Sequence, residues 1–220
     1  MSKRPTHDLT SLTGRIRAWL HFYLKDHHLL RMAWWNLAQI APGVWRSNQP
    51  SPWRLRRMRA RGVTTVVSLR GASRRSFNLF EERACVDLGL DFVRLTGVMA
   101  RRPVPAADML AIVDGLAAIP GPKLFHCKSG ADRTGLIAAL YLILIEDVDV
   151  AEAARTQLGR RWVHFPRTRA GVLDHIFRVY LRDAAPAGQG FRDWLETVYD
   201  PAEVQADFDD WRAGAGRWAA

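Results

Sequence analysis

His126-Cys127-Lys128-Ser129-Gly130-Ala131-Asp132-Arg133-Thr134-Gly135 is the stretch on which the reading of this 220-residue chain turns. It follows a short apolar run, Lys123 to His126, that reads as a strand, and it leads into Leu136 to Ile145, an apolar run that reads as a buried helix. A Cys and an Arg six positions apart, with Gly130 between them, wrap a tetrahedral anion if the loop closes onto the helix N-terminus. Backbone N–H groups converge there and the helix dipole favours negative charge. The same setting favours a thiolate at Cys127, because electropositive surroundings lower a cysteine pKa from about 8.5 to ~3.5–7.5. Arg133 presents a planar fork of donors that grips two oxygens of an oxyanion, a task a lysine performs poorly. Thr134 offers a hydroxyl to the sulfur, and His126 is expected to fix the loop through its ring nitrogens.

Upstream of this stretch, strand and helix patterns alternate. Ser51-Pro52 starts a helix and Gly62 stops it; Val63 to Leu69 is a β-branched strand bounded by Gly71. Phe77 to Leu88 reads as a helix ended by Gly89, Leu90 to Leu95 as a strand, and Pro105 to Ala118 as a helix closed by Pro120-Gly-Pro122. This is the pattern of an α/β fold with a parallel-type central sheet flanked by helices, in which ligands bind beyond the carboxyl ends of the strands. Extra helices are expected at both ends. Thr10 to Leu24 and Asp26 to Gln39 read as amphipathic helices; Asp149 to Leu158, Gly171 to Arg182, Phe191 to Tyr199 and Pro201 to Trp211 follow the central region, with a basic aromatic turn at Arg160 to His164. His164 and His175 read as surface or packing histidines. With no repeat and no low-complexity linker, the expectation is a single domain over 1–220, made of a helical extension at 1–43, a core at 44–158 and a helical region at 159–220.

With 48% apolar and 25% charged residues the chain is globular, which excludes disordered and collagen-like classes. Two cysteines, Cys85 and Cys127, exclude a disulfide scaffold and a four-thiolate zinc site, and suit a reducing, cytoplasmic setting. Cys85, inside a helix, is expected in the core. The net charge of +10 is uneven: residues 1–72 hold 13 Lys and Arg against Asp8 and Asp26, whereas residues 183–220 hold 3 Arg against 8 acids. The acidic tail is placed to answer the basic N-terminal segment. No nucleic-acid-binding pattern accompanies the charge, so nucleic acid is not an expected partner. Neither a signal peptide nor a span long enough for a bilayer is read. The N-terminal helices, with Trp19, Phe22, Tyr23, Trp34 and Trp35 among cations, suit either packing on the domain or docking at a membrane interface.

HCKSGADRTG resembles the signature of the cysteine-dependent protein tyrosine phosphatase superfamily, and is most similar to its dual-specificity and bacterial branch. The resemblance covers about Val44 to Leu158 and includes Trp45-Arg46-Ser47-Asn48-Gln49-Pro50, a segment similar to that of plant and fungal atypical dual-specificity enzymes. It implies Cys127 as nucleophile, Arg133 as phosphate ligand, and Lys128, Ser129, Gly130, Ala131 and Asp132 as a backbone cradle. The implied reaction forms and then hydrolyses a cysteinyl-phosphate, with no cofactor and no metal. The implied substrates are phosphorylated proteins of the tyrosine or dual-specificity type; phosphorylated inositols or lipids are an alternative, and a non-catalytic phosphate-binding module is another. One departure stands out. The family usually supplies an acidic Asp from the loop matching Thr96 to Val104, and that loop contains no carboxylate. Asp132 and Asp108 are the candidate replacements. Arg70, Arg101 and Arg102 are read either as contacts to a second anionic group or as solvated arginines.

Overall fold

The computed structural model describes residues 8–71 and 75–214, which form two compact units. The first runs to Thr96 and includes Gly121–Ser129; the second comprises Gly97–Pro120 and the chain from Gly130 onward. The expected α/β class holds.

All five strands lie in the first unit: β1 (Ala38–Ala41), β2 (Val44–Ser47), β3 (Thr65–Ser68), β4 (Asp91–Arg94) and β5 (Lys123–His126), in spatial order β1-β2-β5-β3-β4. β1 is antiparallel to β2 and the remaining pairs are parallel. Val66, Val67, Leu124 and Phe125 are fully buried, as a strand covered on both faces requires. β5 is central, and its register sets His126 beside Ser47 on one neighbour and Ser68 on the other. The loops beginning at Asn48, Leu69 and Cys127 therefore leave the sheet at one edge, where open α/β sheets bind ligands.

Helices α1 (Leu12–Leu20), α2 (His28–Arg31), α3 (Pro52–Arg59) and α4 (Ser76–Leu88) complete this unit. Pro52 occupies the first turn of α3, where its missing N–H is harmless. Gly89 ends α4 at φ 62°, a left-handed position that a Cβ disfavours. Leu55 and Met58 of α3, Ala84 and Cys85 of α4, Val66 and Leu124 form one buried cluster. Cys85 is core as expected; burial, with Glu81 nearby, pushes its thiol up to about 12.

The N-terminal segment departs from the sequence reading. The helical rows of α1 continue in a wider turn to Lys25, close to the expected Thr10 to Leu24. The helix expected over Asp26 to Gln39 does not form beyond four residues, and its last residues enter β1 instead. The reason is competition for carbonyls. Asn48 Nδ2 donates to the Arg31 and Trp34 carbonyls at 3.2 and 2.6 Å, and Arg54 Nη2 to that of Met32 at 3.0 Å. Those acceptors are thereby taken by tertiary donors, and His27 and Asn36 turn the chain at φ 58° and 51°. Phe22 packs on His28 with ring centroids 4.2 Å apart, while Leu12, Ile16 and Trp19 on α1 stay exposed.

The second unit is helical: α5 (Ala106–Ala118), α6 (Asp132–Leu144), α7 (Val150–Gln157), α8 (Val172–Asp183), α9 (Phe191–Thr197) and α10 (Pro201–Ala213). α6 is buried all round from Thr134 to Ile143, which explains its lack of a polar face. His175 is buried, its Nε2 2.6 Å from Asp207, and packs on Phe208 and Trp211; it is a packing residue and not a surface one. The acidic tail answers cations of its own unit, Asp207 meeting Arg182 at 2.8 Å as well as His175. Among the described residues no helix is long and apolar enough to cross a membrane.

Gly135 is dictated by space. A Cβ there would sit 2.5 Å from Leu158 Cδ2 and 2.9 Å from the Gln157 carbonyl oxygen, so α6 and the end of α7 meet only over a hydrogen. Gly135→Ala is expected to lower the unfolding free energy by about 1–3 kcal/mol through overpacking, read as a shifted midpoint in urea.

Candidate active site

The signature stretch begins in the sheet unit. Cys127 directly follows β5 and is 2% exposed. Its predecessor His126 is fully buried, with Nε2 2.7 Å from Glu81 Oε1 and Nδ1 3.0 Å from the Cys127 carbonyl oxygen. Both ring nitrogens of His126 are therefore in contact, one with α4 and one with the loop backbone. Gln49 carries the support further: its Nε2 donates to Glu81 Oε2 at 3.0 Å, and its backbone N–H donates to the Lys128 carbonyl at 3.3 Å. Asn36 Nδ2 donates to the Ser129 carbonyl at 2.9 Å. Lys128 and Ser129 are thus pinned from segments far away in sequence.

Beneath them lies a charge cluster that sequence reading missed. Asp26 is buried and meets Arg31 at 2.7 Å, Arg70 at 2.8 Å and Lys128 at 3.6 Å. Burial by itself would push this carboxyl up; the hydrogen bond and charge of Arg70, with the charges of Arg31 and Lys128, outweigh it and hold Asp26 at about 2. Arg31 feels the charge of Cys127 as well. Arg70 is not a solvated arginine: its side chain is buried, bonded to Asp26 and Gln49, and lies 3.5 Å over the Phe77 ring. The signal available in the sequence was scarcity, since Asp26 is one of only two acids in the first 72 residues.

The stretch ends in the helical unit. Gly130 takes φ 71°, and α6 starts at Asp132, so Asp132, Arg133 and Thr134 form its first turn. Thr134 is fully buried. Asp132 Oδ1 meets His164 Nδ1 at 2.8 Å, and the other ring nitrogen meets Asp174 Oδ1 at 3.2 Å. Burial disfavours a charged His164 ring, but hydrogen bonds to Asp132 and Asp174 and their charges prevail and push it up to about 9. His164 therefore is not the bland packing residue its sequence suggested. Asp132 also lines an open cavity of about 480 Å³ with Arg101, Val163, Phe165, Thr168, Arg169 and Ala170. Arg101 and Arg102 are exposed, and both line a neighbouring cavity with Arg169 and Arg212. Asp108 sits instead in the first turn of α5, beside Gly97, as a helix-start carboxylate. Among the described residues no set of His, Cys, Asp and Glu forms a metal-binding group.

A sequence model of the tyrosine phosphatase family matches residues 38–155, a little over half the chain. The chain belongs to the tyrosine phosphatase family. It is 33% identical over 128 residues to the dual specificity protein phosphatase TpbA of Pseudomonas aeruginosa strain UCBPP-PA14, covering 57% of this chain and 54% of that protein. TpbA of strain PAO1 matches at 33% over 117 residues. The chain spans about half the length of these curated relatives. Among solved structures, P. aeruginosa TpbA superposes with a TM-score of 0.54 at 23% identity, over 80% of this chain and 91% of that one. A cysteine-to-serine variant of TpbA in complex with pTyr gives 0.54 at 26% identity, over 70% and 86%. The core catalytic domain of the PP-IP phosphatase SIW14 from S. cerevisiae shares the fold, with 0.51 at 18% identity over 80% and 93%.

In this tyrosine phosphatase family member the Asp26 cluster is the most exposed to a single change. Asp26→Asn leaves Arg31 and Arg70 buried without their carboxylate and is expected to cost about 3–5 kcal/mol. The Asp26 contribution is complete above the usual carboxylate value near 4 and is lost as pH falls through about 2. The gap between the urea midpoints of the two proteins should persist down to pH 4 and close toward pH 2.

Proposed function

We propose that the chain hydrolyses phosphate monoesters through a cysteinyl-phosphate on Cys127, with phosphotyrosine-type protein groups as substrates. The observation that carries this reading is the position of Cys127, buried at the end of the central strand among pinned loop residues and near Arg31. Family membership and the pTyr complex of a TpbA variant support it. In the first step the Cys127 thiolate attacks phosphorus, the bond to the leaving oxygen breaks, and Asp132 supplies that oxygen with a proton. In the second, water attacks phosphorus, Asp132 accepts its proton, and the thiolate leaves. Arg133 and the amides of Lys128 to Asp132 neutralise the equatorial oxygens throughout, and Thr134 offers its hydroxyl to the sulfur. We assign the catalytic core to 44–158, and a working thiolate suits the reducing cytoplasm.

A specific observation also favours a substrate with a second anionic group: Arg101 and Arg169 line the cavity onto which Asp132 opens. Phosphorylated inositols and lipid head groups fit that description and form the second reading.

Purified protein should turn over an aryl phosphate without added metal. Cys127→Ser should abolish turnover while retaining phosphate binding, and Asp132→Asn should lower kcat by ~10²–10⁴-fold on phosphotyrosine. Metal-dependent turnover, or turnover surviving in Cys127→Ser, overturns the scheme; tight anion binding without turnover points to a binding module.

The exposed stripe Leu12, Ile16 and Trp19 on α1, three side chains spaced for one helix face and flanked by Arg15 and Arg17, supports peripheral contact with an anionic membrane. Co-sedimentation with phosphatidylserine vesicles should fall when the three become Gln, and equal sedimentation would remove this contact.

A further inference from the structure

A general acid must hold its proton at the working pH. A carboxylic acid in water titrates near 4, so at pH 7 it is loaded in about one molecule in a thousand. The geometry around Asp132 contains a remedy. His164 is fully buried, and both of its ring nitrogens face carboxylate oxygens, Nδ1 toward Asp132 at 2.8 Å and Nε2 toward Asp174 at 3.2 Å. A neutral imidazole has one N–H and one lone pair; between two carboxylates, only the doubly protonated ring donates to both. Asp174 is held in turn by Arg178, whose Nε donates to Oδ2 at 3.1 Å. One proton therefore lies between a buried nitrogen and a carboxylate that opens on a solvent cavity.

We propose that His164 and Asp132 form a single proton store, in which the proton that Asp132 delivers to the leaving oxygen is drawn from His164 Nδ1. This rests on the phosphatase reading above. In the first step the P–O bond breaks, its electron pair stays on the leaving oxygen, and that oxygen takes a proton from Asp132. Asp132 takes the Nδ1 proton, and the ring becomes neutral while keeping Nε2–H on Asp174. In the second step water attacks the cysteinyl-phosphate, its proton passes through Asp132 to Nδ1, and the P–S bond breaks with the electron pair on sulfur. The cycle closes with the thiolate, the carboxylate and the imidazolium restored.

The charged groups around the pair act consistently. Asp132 at the start of α6 and Asp174 on α8 both favour a charged ring; Arg178 stands behind Asp174; Arg101 and Arg169 line the open side of Asp132. The store is accordingly full at neutral pH and empties only as the pH rises past about 9. His164 acts through Asp132 and is a positioning residue in the sense that it never meets substrate.

The decisive variant is His164→Gln, which can still donate a hydrogen bond to Asp132 but cannot hold a proton in reserve. On a phosphotyrosine peptide at pH 7 its kcat should fall about 100-fold, the lower end of what general-acid catalysis supplies. KM should stay within about twofold of the wild-type value, since general-acid loss acts on the chemical step. Loss on p-nitrophenyl phosphate, whose leaving oxygen needs less help, should be much smaller. The basic limb of kcat should move from near pH 9 in the wild type toward the carboxylate range. Asp174→Asn, which keeps the ring, should move that limb down by ~1–3 pH units through loss of one opposite charge. Independently of turnover, NMR titration of the His164 ring in Cys127→Ser should show an imidazolium persisting to about pH 9. Wild-type rate and limb in His164→Gln, an unmoved limb in Asp174→Asn, or a ring that deprotonates near 6.5 each overturn the proton store. Turnover surviving in Cys127→Ser would instead sink the cysteinyl-phosphate reading, and the ring titration separates the two failures.

Discussion

The buried carboxylate of Asp26 is the constraint on which the surroundings of Cys127 depend. Three cations, Arg31, Arg70 and Lys128, converge on it within 2.7–3.6 Å. Cations that close repel one another, and buried ones are costly unless paired. A single carboxylate among them turns that repulsion into order and fixes where positive charge stands near Cys127. It also explains why the N-terminal segment folds back. Arg31 and Asp26 are five residues apart, and the carbonyls between Arg31 and Trp34 serve Asn48 and Arg54, so this segment is built into the loop's support.

The two ends of the signature handle charge in opposite ways. At Cys127 the surplus is positive and a carboxylate trims it; at Asp132 the surplus is negative and an imidazolium trims it. Many of the arginines are engaged in such local arrangements. Arg54 and Arg57 stack over Trp35 and Trp53, Arg178 holds Asp174, and Arg182 holds Asp207. Part of the arginine content thus serves the molecule's internal bonding, and the net +10 stands in addition to it.

β5, α4 with its Gly89 stop, and the body of α6 were legible because each rests on contiguous residues, whereas α6 starts four residues before the apolar run, at Asp132. The motif positions Cys127 and Arg133, to which the proposed chemistry is assigned, belong to the same class of signal. Asp26 to Gln39 was not legible, because its amphipathic pattern was overruled by donors from Asn48 and Arg54 that no local window contains. The same holds for Arg70 and Asp26, 44 residues apart, and for His164 and Asp132, 32 apart. A histidine between two carboxylates looks, in one dimension, like any other histidine. Periodicity reports which face of an element is buried; it carries nothing about which polar groups meet there.

The proposed placing of the acid in the signature itself has a physical consequence. The loop Thr96 to Val104 carries no carboxylate and instead offers Arg101 to the cavity beside Asp132, so the acid we propose, Asp132, sits on the first turn of a buried helix and not on a loop. Its position then follows from the helix and waits on no loop movement. The first turn of a helix favours a negative side chain, and Arg101 and Arg169 line the same cavity. The proton has to be kept where the field favours a cation, and the buried ring of His164, with a carboxylate on each nitrogen, is such a place.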